Sequence, residues 1–182
     1  MENIKKHLTV ESIGVIAALL TLIFGVYQYT VSEKWKRSRF AATQLERLYN
    51  DEVLKLASSA TEWRKRSFPT PEKYKEMYRS NVFNHSSETL KSALSSEFVH
   101  GEFKEDEQIY QDLFDYYFNY LERVNHYINI ELFEIEDVES LCYWVEKISK
   151  PKDYYNEAFS SYIEAYDFDG VVELIDKCQR LN

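Results

Sequence analysis

Residues 12–32 read SIGVIAALLTLIFGVYQYTVS, and no charged side chain occurs between Glu11 and Glu33. A helix rises about 1.5 Å per residue, so about 20 residues cross a hydrocarbon core of about 30 Å. In lipid a single segment satisfies its own backbone only as a helix. The stretch is therefore predicted to be one transmembrane helix. Before it the basic side chains are Lys5 and Lys6, whereas Lys34, Lys36, Arg37 and Arg39 crowd the first turns after it. Basic residues close to a span stay in the cytoplasm, which predicts a short external N-terminus (1–11) and residues 33–182 inside. Tyr27, Tyr29 and Trp35 suit the headgroup level, and Lys34, Trp35, Lys36, Arg37 and Arg39 are the candidate lipid contacts. The rival reading is a cleaved secretory signal, with Thr30-Val31-Ser32 as its small-residue cleavage site. The length of the apolar run and the basic cluster beyond it weigh against that reading.

One face of the span carries small side chains. Gly14, Ala17, Ala18, Thr21 and Gly25 follow one another at i, i+3, i+4, i+7 and i+11. Such a seam lets two helix backbones approach closely, making these five the candidate self-association residues. The plainer reading is that glycine and alanine are common in membrane helices.

Beyond the span there is room for one soluble domain. With only 4 Gly and 3 Pro in 182 residues, tight turns are scarce, which points to long helices and away from a sheet-rich fold. Tyr (15) and Phe (11) are abundant enough to predict an aromatic core. Cys142 and Cys178 lack paired spacing and sit among apolar residues, so they read as buried free thiols, which suits the cytoplasm. The net charge of −9 is unevenly spread: Lys34 to Arg79 holds 12 basic and 6 acidic side chains, and Ser80 to Asn182 holds 8 and 22. The basic part is drawn to an anionic inner leaflet. The acidic part would repel nucleic acid, which argues against that partner.

Taken in order, helix continues from Lys34 to about Tyr49, where Asn50-Asp51 reads as a break and a new N-cap. Val53, Leu56, Ala57, Ala60 and Trp63 then mark an amphipathic helix ended by Arg64-Lys65-Arg66. Phe68-Pro69-Thr70-Pro71 reads as a loop, with Thr70 as N-cap of a short helix through Tyr74 and Met77-Tyr78. Asn81 to Gly101 mixes turn formers with a helix begun by Ser86 or Ser87 and carrying Leu90, Ala93 and Leu94. From Glu105 to Ile128 the stripe Ile109, Leu113, Tyr117, Leu121, Val124 and Ile128, widened by Phe114, Phe118 and Tyr120, predicts the central helix. A helix with Val138, Leu141, Cys142, Val145 and Ile148 closes at Pro151. Another runs from about Asp153 to Tyr166, and after the turn Asp167-Phe168-Asp169-Gly170 a last one carries Val171, Leu174, Ile175 and Cys178. The expected fold is all-α: a transmembrane helix (12–32), basic juxtamembrane helices (33–66) and an acidic antiparallel helical bundle (67–182), the last two packing as one domain.

Chemistry is sparse. Glu97 and His100 have the Glu-x-x-His spacing of di-metal bundles, but no second such motif is present, and Glu122 with His126 places at most one carboxylate and one imidazole on a face. There is no Gly-rich phosphate loop, no paired Cys motif, no Gly-x-Ser-x-Gly and no His-Glu-x-x-His. No catalytic residue, metal or cofactor is assigned.

The string Phe103 to Arg123, with Ile109, Leu113-Phe114-Asp115 and Leu121-Glu122-Arg123, together with Tyr143-Trp144, Tyr162-Ile163-Glu164 and Tyr166 to Val171, resembles a widespread, uncharacterised group of bacterial single-pass membrane proteins. Trp35-Lys36 and Phe40 match the juxtamembrane pattern of that group. The resemblance implies an N-terminal membrane helix, a C-terminal helical domain and a bacterial inner-membrane location, and supplies no catalytic residue. The function these observations predict is a membrane-tethered interaction module whose partners are the lipid bilayer and either another protein or further copies of the chain. Two alternatives are a membrane-disrupting effector of bacterial antiphage defence, acting by association of its spans, and an enzyme with an inconspicuous site.

Overall fold

From Val10 to Asn50 the chain is one uninterrupted helix, α1 (Val10–Asn50), as the lack of Gly and Pro after the apolar run predicts. The computed structural model describes residues 10–95, 103–155 and 157–181. They fall into two units, one ending at Arg39 and one beginning at Phe40. In the first, every side chain from Ile13 to Lys36 is exposed, and the helix is long and apolar enough to cross a membrane.

The second unit is mostly helical. Its first turns are the end of α1, where Ala41 and Leu48 are buried. Asp51 leaves the helix in an extended conformation, and its Oδ1 accepts the amides of Val53 (2.9 Å) and Leu54 (3.1 Å), opening α2 (Glu52–Ala60). Strand β1 (Lys65–Pro69), α3 (Lys75–Tyr78) and strand β2 (Val82–Ser86) follow. Ser86, one of the two serines expected to begin it, then caps α4 (Ser87–Leu94). The remaining helices are α5 (Glu105–Asn129), α6 (Glu139–Ser149), α7 (Ala158–Ala165) and α8 (Asp169–Leu181).

Helix α5 is central, packing against α2, α4 and α8. Ile109, Leu113, Tyr117, Leu121 and Val124 are buried along it, with Phe114, Phe118 and Tyr120 beside them; Ile128 is half-buried. The core is aromatic: Phe114 lies 5.4 Å from Phe159 and Phe118 lies 5.3 Å from Phe168, ring centre to ring centre. Each such tilted pair adds about 0.5–1.5 kcal/mol beyond its buried area.

Three expectations need correction. Residues 64–71 are not a helix end followed by a loop: Lys65–Pro69 pairs antiparallel with Val82–Ser86, joining Phe68 to Phe83 and Arg66 to His85 across the ladder. Pro69 and Pro71 push Phe68 and Thr70 into extended backbone, and pairing then satisfies the amides that no helix can. The domain is therefore helical with a small two-stranded sheet. Thr70 is not an N-cap; the chain enters a 3-10 turn (Glu72–Tyr74) from Pro71, and Thr70 Oγ1 is buried without a hydrogen-bond partner. Finally, Cys142 and Cys178 are buried but not free, being joined as a disulfide between α6 and α8. Packing of these two helices brings the Cα atoms to 5.3 Å, inside the range a disulfide spans.

Candidate functional site

The five small residues of the apolar segment, Gly14, Ala17, Ala18, Thr21 and Gly25, are all exposed on α1. A Cβ added at Gly14 or Gly25 would meet no atom within 4 Å. The Thr21 hydroxyl donates to the Ala17 carbonyl at 2.9 Å, so it is already satisfied within the helix. Ala18, Thr21 and Gly25 line a shallow groove with Leu22, Val26 and Tyr29. Among the basic residues that follow, Lys36 pairs with Glu33 at 2.8 Å, and Trp35 is 69% exposed. Lys34 and Arg39 are exposed and Arg37 is half-buried.

In the second unit the hairpin holds a buried polar cluster that sequence reasoning missed. His85 Nδ1 lies 2.7 Å from the Tyr110 hydroxyl, and its Nε2 meets the Trp63 carbonyl. Since a carbonyl only accepts, Nε2 carries the proton and Nδ1 accepts from Tyr110. The Tyr110 oxygen also accepts the Ser86 amide at 2.9 Å. The Tyr155 hydroxyl donates to the Ala60 carbonyl and stands 2.9 Å from that of Trp63. Burial lowers the pKa of His85, outweighing the carbonyl and Glu88, and raises those of Tyr110 and Tyr155. The imidazole is thus neutral and enclosed, tying the end of α2, β2, α5 and the segment before α7 together. The only forewarning in the sequence is the alternation Val82-Phe83-Asn84-His85, which turns Phe83 and His85 to one side.

On the surface beside this cluster, cations and aromatic rings are interleaved. The Arg66 guanidinium lies 4.3 Å over the Trp63 ring and 5.4 Å from that of Phe68. Lys147 lies 4.4 Å over Tyr143, whose hydroxyl donates to Glu62. Arg64 pairs with Glu88 at 3.0 Å. The Glu88 carboxyl is held down to about 2, first by its own backbone amide, then by the Ser86 hydroxyl and Arg64.

Helix α8 is fastened to α5 by polar groups. Glu122 Oε1 accepts the Gly170 amide at 3.2 Å, placing a carboxylate where the helix dipole favours it. Asn125 and Asn129 donate to Glu173 at 2.7 and 2.9 Å, and both accept from Lys177. Glu122 is therefore engaged away from His126, which is exposed. Glu97 and His100 lie outside the described residues. Among the described residues no three His, Cys, Asp or Glu side chains are grouped to hold a metal ion. A cleft of about 580 Å³ beside α6, α7 and α8 is lined by Glu157, Glu164, Asp167 and Asp169 among apolar and uncharged polar side chains, with no imidazole among the described residues that line it.

No protein-family model, no curated protein and no solved structure matches the chain.

Proposed function

We propose that the chain is a single-pass, membrane-anchored helical interaction module at the inner leaflet of a bacterial membrane. Residues 12–32 thread the bilayer, the N-terminus lies outside, and the domain that begins at Phe40 faces the cytoplasm and binds a protein partner or further copies of the chain. One observation carries the reading: from Ile13 to Val31 the large apolar side chains of α1 are all exposed. Soluble monomers rarely expose more than roughly 300–600 Å² of contiguous apolar surface, and a sleeve of this length calls for lipid. The cluster Lys34, Lys36, Arg37 and Arg39 supports the orientation.

The disulfide favours a second reading of the orientation. Such bonds persist in oxidising compartments, which would put the domain on the outer face with Lys5 and Lys6 inside. Protease added to intact spheroplasts separates the two. The first reading expects the domain to survive until the membrane is permeabilised, and its digestion beforehand would reverse the topology. For the module itself the test is chemical crosslinking in cells followed by purification in detergent. A protein that is strictly monomeric and retains no partner would overturn it.

A further inference from the structure

The two edges of the hairpin differ. Thr70 donates its amide to the Asn81 carbonyl at 3.0 Å and Ser87 donates to that of Arg64 at 2.8 Å. In an antiparallel ladder of this register, Arg64, Arg66, Phe68 and Thr70 exchange hydrogen bonds with β2, and the backbone groups of Lys65, Ser67 and Pro69 point the opposite way. On the far side of β2 the Ser86 amide donates to the Tyr110 oxygen at 2.9 Å, and Ser80 Oγ takes up the Val82 amide at 3.1 Å and its carbonyl at 3.0 Å, which among the described residues leaves the outward groups of Asn84 open on that edge. On β1 the amides and carbonyls of Lys65 and Ser67 have no partner among the described residues, and both residues are exposed. Pro69, which has no N–H, adds a carbonyl alone to this row.

The surroundings of the edge are specific in charge and shape. Arg66 and Phe68, opposite His85 and Phe83, share the core-facing side of the hairpin, and with the 43% exposed Trp63 they form an apolar and cationic strip just inside the edge. Lys65 and Ser67 occupy the other face. Arg64, Lys65 and Arg66 stand in sequence, opposed by Glu88, which engages Arg64. Lysine and proline on an edge discourage pairing with a like strand, and β1 of a second copy would bring its own Lys65 and Arg66 to the same edge. A strand bearing carboxylates meets no such repulsion.

We infer that β1 is the docking edge for an extended acidic segment of a partner protein, which adds to the hairpin as a third strand. Its backbone bonds Lys65 and Ser67, its apolar side chains on the inner face cover Trp63 and Phe68 beside Arg66, and its carboxylates on the outer face meet Lys65. This rests on the reading of the domain as an interaction module, and names the surface and the chemistry of its partner.

The probe is a fluorescein-labelled hexapeptide of alternating glutamate and valine, titrated by anisotropy against the full chain in detergent. The expected result is saturable binding that weakens with added salt and is not shared by the lysine-for-glutamate peptide. Ser67→Pro removes an outward donor and leaves the backbone bonds of the β1–β2 ladder in place, at the loss of the Ser67 hydroxyl's 2.8 Å bond to Asn84 Oδ1, so it should weaken binding about tenfold, as should Lys65→Glu combined with Arg66→Glu. Should Ser67→Pro fail to fold, the same glutamate-valine peptide with alternate amides N-methylated tests the ladder on the unaltered protein, and should bind about tenfold more weakly. Equal binding of the acidic and basic peptides, or undiminished binding after both backbone changes, overturns the proposal. So does displacement of the peptide by anionic phospholipid vesicles, which would make the patch a lipid contact. Self-association abolished by Ser67→Pro, with no peptide binding, would assign the edge to a second copy. If the Lys65→Glu, Arg66→Glu chain still retains a crosslinked partner, the edge is wrong and the interaction module stands.

Discussion

Reducing the Cys142–Cys178 bond is the most informative single perturbation of the domain, since it changes the unfolded chain far more than the folded one. The bonded residues are 36 apart in sequence. The chain-entropy relation for a loop of that size gives about 4 kcal/mol of stabilisation at 25 °C. For a unit of this size the entropy of unfolding near 60 °C is about 0.3 kcal/mol/K, so losing the bond lowers Tm by about 13 °C. Cys142→Ala with Cys178→Ala adds a packing loss of roughly 1–2 kcal/mol, because both residues are buried. Reduction of the unaltered protein isolates the entropic part. The assay is a thermal melt in detergent followed by circular dichroism, with and without dithiothreitol, and thiols counted by alkylation under denaturing conditions. Two alkylatable thiols in protein prepared under oxidising conditions would refute the pairing, and a Tm shift under about 2 °C on verified reduction would refute the magnitude. The same alkylation on acid-quenched cells also reports compartment: thiols in growing cells place the domain in the cytoplasm, and a bond places it outside.

Acid should destabilise the domain through His85. Its folded pKa lies below the ordinary value of about 6.5, so its contribution is full above about pH 6.5 and is lost as pH falls through the folded value. Tm measured from about pH 7.5 to about pH 5 should fall, and His85→Gln should flatten that slope; superimposable profiles would discard the argument. Asp51→Ala removes the acceptor for the Val53 and Leu54 amides and for the Tyr116 hydroxyl, and should cost about 1–3 kcal/mol in a denaturant melt, with Asp51→Asn costing less. If the small-residue face mediates association, Gly25→Leu should abolish the signal of a membrane-dimer reporter, and an unchanged signal would assign that face to lipid.

The long elements were legible because each is specified locally. The stripe from Ile109 to Val124 has the period of a helix, Asp51 and Ser86 are capping residues ahead of apolar runs, and nothing between Glu33 and Tyr49 stops α1. What escaped depends on partners distant in sequence. Lys65–Pro69 carries three adjacent polar residues and no alternation, so it reads as a strand only once β2 lies beside it. Cys142 and Cys178 face each other because of how α6 packs on α8, a relation that their spacing does not encode. His85 resembled any surface histidine until Tyr110, Tyr155 and the Trp63 carbonyl enclosed it. The candidate interaction edge is built on that same hairpin, so it was hidden for the same reason.

Helix α8 is held at its start by Glu122, midway by the Asn125 and Asn129 amides, and near its end by the disulfide. Its buried Val171, Leu174 and Cys178 lie in the core, and it packs on α5. During synthesis, then, the side of α5 that α8 covers stays open until residues 169–181 have left the ribosome. The packing on α5 is complete only after translation has passed α8, and a nascent chain stalled short of it would present that surface to chaperones.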